Sequence, residues 1–183
     1  MQLCRVDGVV VVHTQVDDVR ARLLVSSVSQ LTHLHHLDMS FNVLSDIAAR
    51  AVAALVSHSD SLTCLTLVDN NIRASGARAI AHGLAADICT LQSLDLRLNY
   101  IGDEGAVELC RVLTVRNRSL TALNISSNLC TAASATALAD MLRHNDVIRT
   151  LDITANNLAV SNLTCLSLSL SVCAPVRLSV CQR

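Results

Sequence analysis

Residues 91–106, LQSLDLRLNYIGDEGA, contain the pattern that decides the fold of this chain. Asn99 is preceded by leucines eight, five and three positions earlier and is followed two positions later by an isoleucine. The alternation of Leu94 and Leu96 has a period of two, which is typical of a short strand with one buried face. This segment therefore predicts a strand that ends shortly before an inward-facing asparagine.

The same frame surrounds five asparagines, which we call the ladder asparagines. They follow one another at intervals of 28, 29, 29 and 28 residues: Asn42, Asn70, Asn99, Asn128 and Asn156. Repeats of this length are the sequence signature of solenoid proteins, in which each unit packs on its neighbours. We expect a structural role for these amides, because an inward-facing asparagine satisfies backbone groups that burial would leave unpaired.

Each unit continues at helical spacing after its asparagine. Apolar residues lie seven, ten and fourteen positions further on, which in the third unit are Ala106, Leu109 and Leu113. These spacings place the side chains on one face of a helix. Thr131 is predicted as a helix N-cap, and Asp103 favours the start of a helix near its own position. The pattern thus predicts alternating strands and helices.

The alternation of 28 and 29 residues and the phrase from Asn99 to Ala106 resemble the leucine-rich repeat family, in its long ribonuclease-inhibitor-like subtype. The resemblance covers about residues 31–160. It implies an α/β solenoid, or horseshoe, with a parallel β-sheet on the concave face and α-helices on the convex face. It also implies protein binding without naming the partner, because this scaffold serves inhibitors, immune-receptor sensor regions, actin regulators and GTPase activators.

The pattern predicts one leucine-rich repeat domain over residues 1–183. Residues 1–30 form a degenerate first repeat, with Thr14 where the ladder would place an asparagine, and residues 31–160 form five regular strand units. Residues 161–183 are irregular and are interpreted as a truncated further repeat. Within them we expect a helix over Leu166–Val172 and a strand within Val176–Val180.

Composition excludes several classes of function. All fourteen basic residues are arginine, so chemistry that depends on lysine is ruled out, and a net charge of −1 provides no general attraction to nucleic acid or to an anionic membrane. Residues 153–176 carry no charge, but polar residues interrupt them and no membrane span is predicted. No phosphate-binding loop, catalytic triad or paired-carboxylate motif is present. We therefore expect no enzyme activity, no cofactor and no small-molecule ligand.

Two clusters of possible metal ligands are better explained without a metal. His35 and His36 point to opposite sides of a strand, and the eight-residue spacing of Cys165, Cys173 and Cys181 matches no zinc site. The eight cysteines are scattered and include no Cys-x-x-Cys pair, so they are interpreted as small buried thiols in a reducing compartment. No secretory signal is recognisable at the N-terminus, and the cytoplasm is the expected location.

The variable positions of the strands are the candidate binding surface. One position per strand lies between the two core residues, and we call these five residues the concave row: Asp38, Thr66, Asp95, Asn124 and Asp152. Its three aspartates suit a basic protein surface, although a merely solvated acidic face would have the same sequence. Flanking candidates are His36, Val68 and Arg97, together with Phe41 and Tyr100, which are the only aromatic residues and a residue class enriched in interface hot spots.

The primary hypothesis is a protein–protein interaction scaffold without catalytic activity. A GTPase-activating type of regulator is an alternative suggested by the family resemblance, with Arg97 as the only arginine at a concave strand position. A sensor fragment of an immune-type receptor is a further alternative.

Overall fold

The computed structural model describes residues 6–158 and 177–179. The strands are β1 Gly8–Val10, β2 His36–Asp38, β3 Cys64–Thr66, β4 Ser93–Asp95, β5 Ala122–Asn124, β6 Thr150–Asp152 and β7 Arg177–Ser179. The helices are α1 Asp18–Val28, α2 Asp46–His58, α3 Ala74–Leu84, α4 Gly102–Val115 and α5 Ala132–His144. Strand and helix alternate from β1 to β6, as the repeat pattern predicts.

All strands of the described residues form one parallel sheet in the order of the sequence, from β1 to β7. The middle residues of neighbouring strands are in register, so that Leu94 pairs with Leu65 on one side and with Leu123 on the other. Each strand is only three residues long, because the chain must turn back into the following helix within one repeat. The prediction of an α/β solenoid with a parallel sheet is confirmed.

The hydrophobic core lies between the sheet and the helices. The three central strand leucines, Leu65, Leu94 and Leu123, are buried, and so are the helix residues at the predicted spacing in the third unit. The helices pack closely where small residues permit it. A Cβ atom at Gly83 would lie 2.6 Å from the carbonyl oxygen of Ala53 on the neighbouring helix. The glycine therefore sets how closely α3 approaches α2.

Both ends of the described structure continue the repeat. Thr14 replaces a ladder asparagine, and its backbone N and Oγ1 donate to Oδ1 of Asn42 at 3.3 and 3.2 Å. A strand is present within the predicted range 176–180 and pairs with β6. The predicted helix at Leu166–Val172 lies outside the described residues. Among those that are described, no helix is both long and apolar enough to cross a membrane.

A sharp turn recurs immediately before each ladder asparagine. The preceding residue has a positive φ in every unit, between 51° and 57°, and none of these residues is glycine: Phe41, Asp69, Leu98, Ser127 and Ala155. A left-handed conformation costs a non-glycine residue roughly 1–2 kcal/mol. The turn is nevertheless kept, because it directs each asparagine side chain into the loop interior.

Candidate functional site

The ladder asparagines connect neighbouring repeats through buried hydrogen bonds. In the third unit, Asn99 Nδ2 donates to the carbonyl oxygens of Leu67 at 2.9 Å, Leu96 at 3.0 Å and Arg97 at 3.3 Å. Its Oδ1 accepts from the backbone N of Ile72 at 3.0 Å. Two of these partners belong to the preceding repeat. Since the amide is buried and fully engaged, it contributes to architecture and offers nothing to a ligand.

A second set of inter-repeat bonds starts at three aspartates near the beginnings of helices. Asp18, Asp46 and Asp103 each accept backbone hydrogen bonds from the start of the next helix. Asp46 Oδ1, for example, accepts from the backbone N of Arg73 at 2.7 Å and of Gly76 at 3.0 Å. This role of the three aspartates was not predicted from the sequence. The sequence contains an indication of this role, because the three aspartates each lie four positions after Thr14, Asn42 or Asn99.

The environment of Asp103 shows how these carboxylates are stabilised. Burial raises the pKa of Asp103, but hydrogen bonds from Thr131 and Ser134 outweigh burial and hold the pKa below its ordinary value. Thr131 donates from its backbone N at 2.7 Å and from Oγ1 at 2.6 Å, and the backbone N of Ser134 donates at 3.2 Å. The charged form is therefore preferred in the folded chain. Thr131 also caps α5, as predicted.

We expect Asp103→Asn to lower the free energy of unfolding by about 1 kcal/mol at neutral pH, because one charged acceptor is lost. The folded-state pKa lies below the unfolded value of about 3.9, so the carboxylate stabilises the fold above that pH. This contribution is lost as the pH falls through the folded-state pKa. Urea unfolding of parent and variant should therefore converge in acid. Exposed Asp87→Asn is the control, and a difference that stayed constant into acid would contradict the assignment.

The concave row lies in one register line across five strands. Asp38 pairs with Thr66, Thr66 with Asp95, Asp95 with Asn124, and Asn124 with Asp152. All five side chains are half-buried. In each acidic or amide member, Oδ1 accepts the backbone N two residues later, at 2.9 to 3.1 Å. One oxygen of each aspartate thus stabilises the turn that ends its strand.

The three aspartates of the concave row are electrostatically coupled. Burial raises the pKa of Asp95, and the charges of Asp152 and Asp38 raise it further, against the lowering effect of the Arg97 backbone N–H and guanidinium. Arg97 Nε lies 3.5 Å from Asp95 Oδ2. The Oδ2 atoms of Asp38 and Asp152 have no hydrogen-bond partner among residues 6–158. Within the described residues, the row therefore concentrates negative charge that an ion pair compensates only at its centre, where Arg97 lies beside Asp95.

Val68 is not available for binding, which corrects the prediction. Its side chain is only 1 % exposed. Strand β3 ends at Thr66, so the alternation of inward and outward side chains does not extend two residues further. Val68 instead contributes its backbone, which accepts from Phe41 N at 2.7 Å and donates to Ser40 Oγ at 3.1 Å. His36 remains half-buried beside the concave row, and Arg97 is exposed.

Both aromatic residues lie at the rim where the strands turn toward the helices. Phe41 is 38 % exposed and stacks on the ring of His13 with centroids 4.3 Å apart, whereas Tyr100 is 53 % exposed. Leu98 and Leu129 are exposed next to ladder asparagines as well. The exposure of these two leucines was not predicted, because only the aromatic residues were considered as anchors at the rim. Their positions directly beside the ladder asparagines were the available signal.

The described cysteines are free thiols, and two of them are deeply buried. Burial raises the pKa of Cys110 to about 12 and that of Cys130 to about 11, so both thiols stay protonated at neutral pH. Within the described part of the chain, no three His, Cys, Asp or Glu side chains converge on a possible metal site. The C-terminal cysteines considered as ligands lie outside it.

Comparison with known proteins supports the repeat assignment. A family model described as Leucine Rich repeat matches residues 30–53, 58–81, 88–110 and 116–139. The chain is 34 % identical to ribonuclease inhibitor from Sus scrofa over 149 residues, which are 81 % of this chain and 32 % of the inhibitor. It is 32 % identical over 138 residues to a protein phosphatase 1 regulatory subunit 37 homolog from Caenorhabditis briggsae, covering 73 % and 14 %.

Two further similarities complete the comparison. RAN GTPase-activating protein 2 from Arabidopsis thaliana is 33 % identical over 93 residues, which are 51 % of this chain and 17 % of that protein. The solved structure of leiomodin-1 actin-binding site 2 superposes with a TM-score of 0.54 at 16 % identity, over 90 % of this chain and 79 % of that one, and supports the fold alone. The chain spans a third or less of the length of its sequence relatives. From its four matched repeats and its 28- and 29-residue period, the chain belongs to the leucine-rich repeat family and has repeats of the ribonuclease-inhibitor-like type.

Proposed function

We propose that this chain is a non-catalytic interaction module of the cytoplasm, a single leucine-rich repeat domain that binds a protein partner through the concave row. The observation that carries the proposal is the electrostatic state of this row. Its three aspartates share one register line, and the pKa of Asp95 is raised by burial and by the other two carboxylates. A basic surface of the partner relieves this repulsion, so the row favours a cationic protein.

The half-burial of the row distinguishes it from a fully solvated acidic face. Asp38 and Asp95 are two strands apart, which corresponds to roughly 10 Å between strand axes. Fully exposed charges at that distance are largely screened at physiological ionic strength. The half-buried row is screened less, and truncating one member of a buried, hydrogen-bonded charge pair at an interface typically costs roughly 2–5 kcal/mol. The rim residues Phe41 and Tyr100 add exposed aromatic area next to the same surface.

The names of the relatives agree with this class of function. They include an inhibitor, a phosphatase regulatory subunit and a GTPase-activating protein, each named for its effect on another protein. Relatives described as containing NACHT, LRR and PYD domains also match, which keeps the sensor alternative open. The GTPase-activating alternative has less support from the site, because the charge of Arg97 is partly compensated by Asp95, whose Oδ2 lies 3.5 Å from its Nε.

Affinity capture with a charge-matched pair of variants tests the proposal. The first variant carries Asp38→Asn, Asp95→Asn and Asp152→Asn, which keep an Oδ1 acceptor for each strand-ending turn. The control removes three exposed carboxylates elsewhere, with Asp60→Asn, Asp87→Asn and Asp146→Asn. For each protein captured by the parent, affinity is then measured with purified components by calorimetry.

We expect the concave-row variant to bind its partner at least about 30-fold more weakly than the parent, as an interface cost near 2 kcal/mol implies. The control variant should bind as the parent does, since exposed charges distant from the interface contribute little. If every captured partner bound both variants with equal affinity, the concave row would not be the binding surface.

A further inference from the structure

A second, basic site lies at the rim, beside the N-terminal ends of α2 and α3. It is a cleft of about 800 Å³, and we call it the rim cleft. Its lining includes Asp46, Ile47, Arg50, Arg73 and Tyr100. These residues come from three consecutive repeats. Arg73 and Tyr100 are bridge partners in the backbone, so their side chains are held in adjacent repeats at one edge of the cleft.

The one carboxylate of the rim-cleft lining is already engaged. The carboxylate of Asp46 accepts from Arg73 N at 2.7 Å, from Ser75 Oγ at 2.7 Å and from Gly76 N at 3.0 Å. A Cβ atom at Gly76 would lie only 2.6 Å from Asp46 Oδ1, so the glycine permits this close approach. The start of α3 is thereby capped from within the protein, and its backbone donors at Arg73 and Gly76 are not available to a ligand.

The arginine and tyrosine donors of the rim cleft, by contrast, are unused. The guanidinium groups of Arg50 and Arg73 and the hydroxyl of Tyr100 make no hydrogen bond or ion pair within residues 6–158 and 177–179. Some other exposed arginines of the described chain are paired, such as Arg111, whose Nη2 lies 2.7 Å from Glu108 Oε1. Each guanidinium carries five N–H donors in a planar fork suited to carboxylates. The cleft thus combines positive charge with unsatisfied donors.

We propose that the rim cleft binds an acidic segment of the polypeptide partner, with Arg50 and Arg73 contacting its carboxylates and with Ile47 and Tyr100 packing on neighbouring apolar side chains. This inference rests on the proposed function and adds a second point of contact to it. The concave row attracts basic residues and the rim cleft attracts acidic ones, so a partner carrying both is held in one orientation. Such charge complementarity determines specificity and register.

Two features favour a polypeptide carboxylate over a phosphate or a nucleic acid. The Asp46 carboxylate lines the same cleft and opposes a dianion more strongly than a monoanion. A nucleic acid on this rim would also approach the acidic concave row, where Asp38 and Asp95 would repel its backbone. Exposed Ile47 and Tyr100 provide apolar contacts that a peptide uses and a phosphate does not.

Fluorescence anisotropy with a defined probe tests the rim cleft directly. The probe is a fluorescein-labelled peptide of alternating Glu and Leu, with a Gln and Leu peptide as its uncharged match. The variant carries Arg50→Gln and Arg73→Gln, and the control carries Arg116→Gln and Arg143→Gln, which remove two exposed arginines of the helical side. Circular dichroism and urea unfolding establish that both variants keep the parent fold.

We expect the cleft variant to bind the acidic peptide at least about tenfold more weakly than the parent, and the control to bind within about twofold of it. Tyr100→Phe should weaken binding by a smaller factor, because only the hydroxyl is lost. The uncharged peptide should not bind the parent.

Equal binding by the cleft and control variants would overturn the proposal, and so would displacement of the peptide by inorganic phosphate more readily than by free glutamate. The outcome is separable from that of the proposed function. If capture of the partner depends on the concave row but not on Arg50 and Arg73, the interaction module stands and the rim cleft does not.

Discussion

Asn99→Ala is expected to lower the free energy of unfolding by about 1–3 kcal/mol, the cost of one buried polar group left without a partner. The substitution removes the acceptor for the backbone N of Ile72, whereas the carbonyl oxygens of Leu67 and Leu96 lose one donor each and keep another, from Asn70 and Asn128. These groups are buried between repeats, where water cannot replace the amide without opening the structure. The loss should be visible as a lower urea midpoint.

Far-UV circular dichroism is the appropriate probe, because the chain contains no tryptophan and one tyrosine. Asn71→Ala is a matched control. Asn71 is exposed, and its side chain makes no hydrogen bond within the described residues. Its substitution should change stability by no more than about 0.5 kcal/mol. An Asn99→Ala protein as stable as Asn71→Ala would refute the structural role of the ladder.

Leu94→Ala should also cost about 2–5 kcal/mol, the usual range for truncating a fully buried leucine. Leu94 lies in the middle of the central strand β4 and pairs with Leu65 and Leu123 in the neighbouring repeats. The resulting cavity borders three repeats at once. Because the stability of a solenoid depends on the contacts between neighbouring repeats, the damage should weaken the interfaces on both sides.

Val9→Ala is the control, because it truncates the equivalent residue in the first strand of the sheet. Val9 occupies the equivalent site in β1, pairs with Leu37 on one side, and is only partly buried. Its truncation removes less buried apolar area and should cost about 1 kcal/mol. The free energies of unfolding of both variants are obtained from urea titrations. If Val9→Ala destabilised the protein as much as Leu94→Ala, a central strand residue would not stabilise more repeat interfaces than a terminal one, and the expectation would be wrong.

The structure separates the residues that stabilise this protein from those that are free to bind. The ladder asparagines and the helix-capping aspartates Asp18, Asp46 and Asp103 face neighbouring repeats and are engaged in hydrogen bonds. The concave row and the rim cleft lie beside them but retain unused acceptors or donors. A change of binding residues is therefore possible without loss of the fold, provided that the strand-ending acceptor of each row member is kept.

The fold was predictable from the sequence because its information is local and repeated. The alternation of Leu94 and Leu96 specifies a strand within a few residues, and the spacing of Ala106, Leu109 and Leu113 specifies the helix that follows it. Five copies of the same pattern then leave few alternative folds, because each unit buries its apolar face only by stacking on the next. The same repeat pattern predicted a strand within residues 176–180, where the structure has β7 at Arg177–Ser179.

The candidate binding surface was predictable only in part. The register of the concave row followed from the repeat, and its members are half-buried as a concave position requires. Val68 was misjudged because the strands stop after three residues, and a period of two carries no information about where a strand ends. The left-handed turns before the ladder asparagines had no glycine to indicate them, so the exposure of Leu98 was not foreseen.

The sequence by itself determined the architecture of this protein, because the stripe of apolar residues and the buried amides recur in every unit. Only the tertiary structure decided which polar groups remain unused. Asp46 and Arg50 are close in sequence, yet the Asp46 carboxylate accepts hydrogen bonds from the next repeat. The Arg50 guanidinium makes none within the described residues and lies in the same cleft as Arg73. That distinction depends on contacts between residues 27 to 30 positions apart, and such contacts exist only after the repeats have stacked.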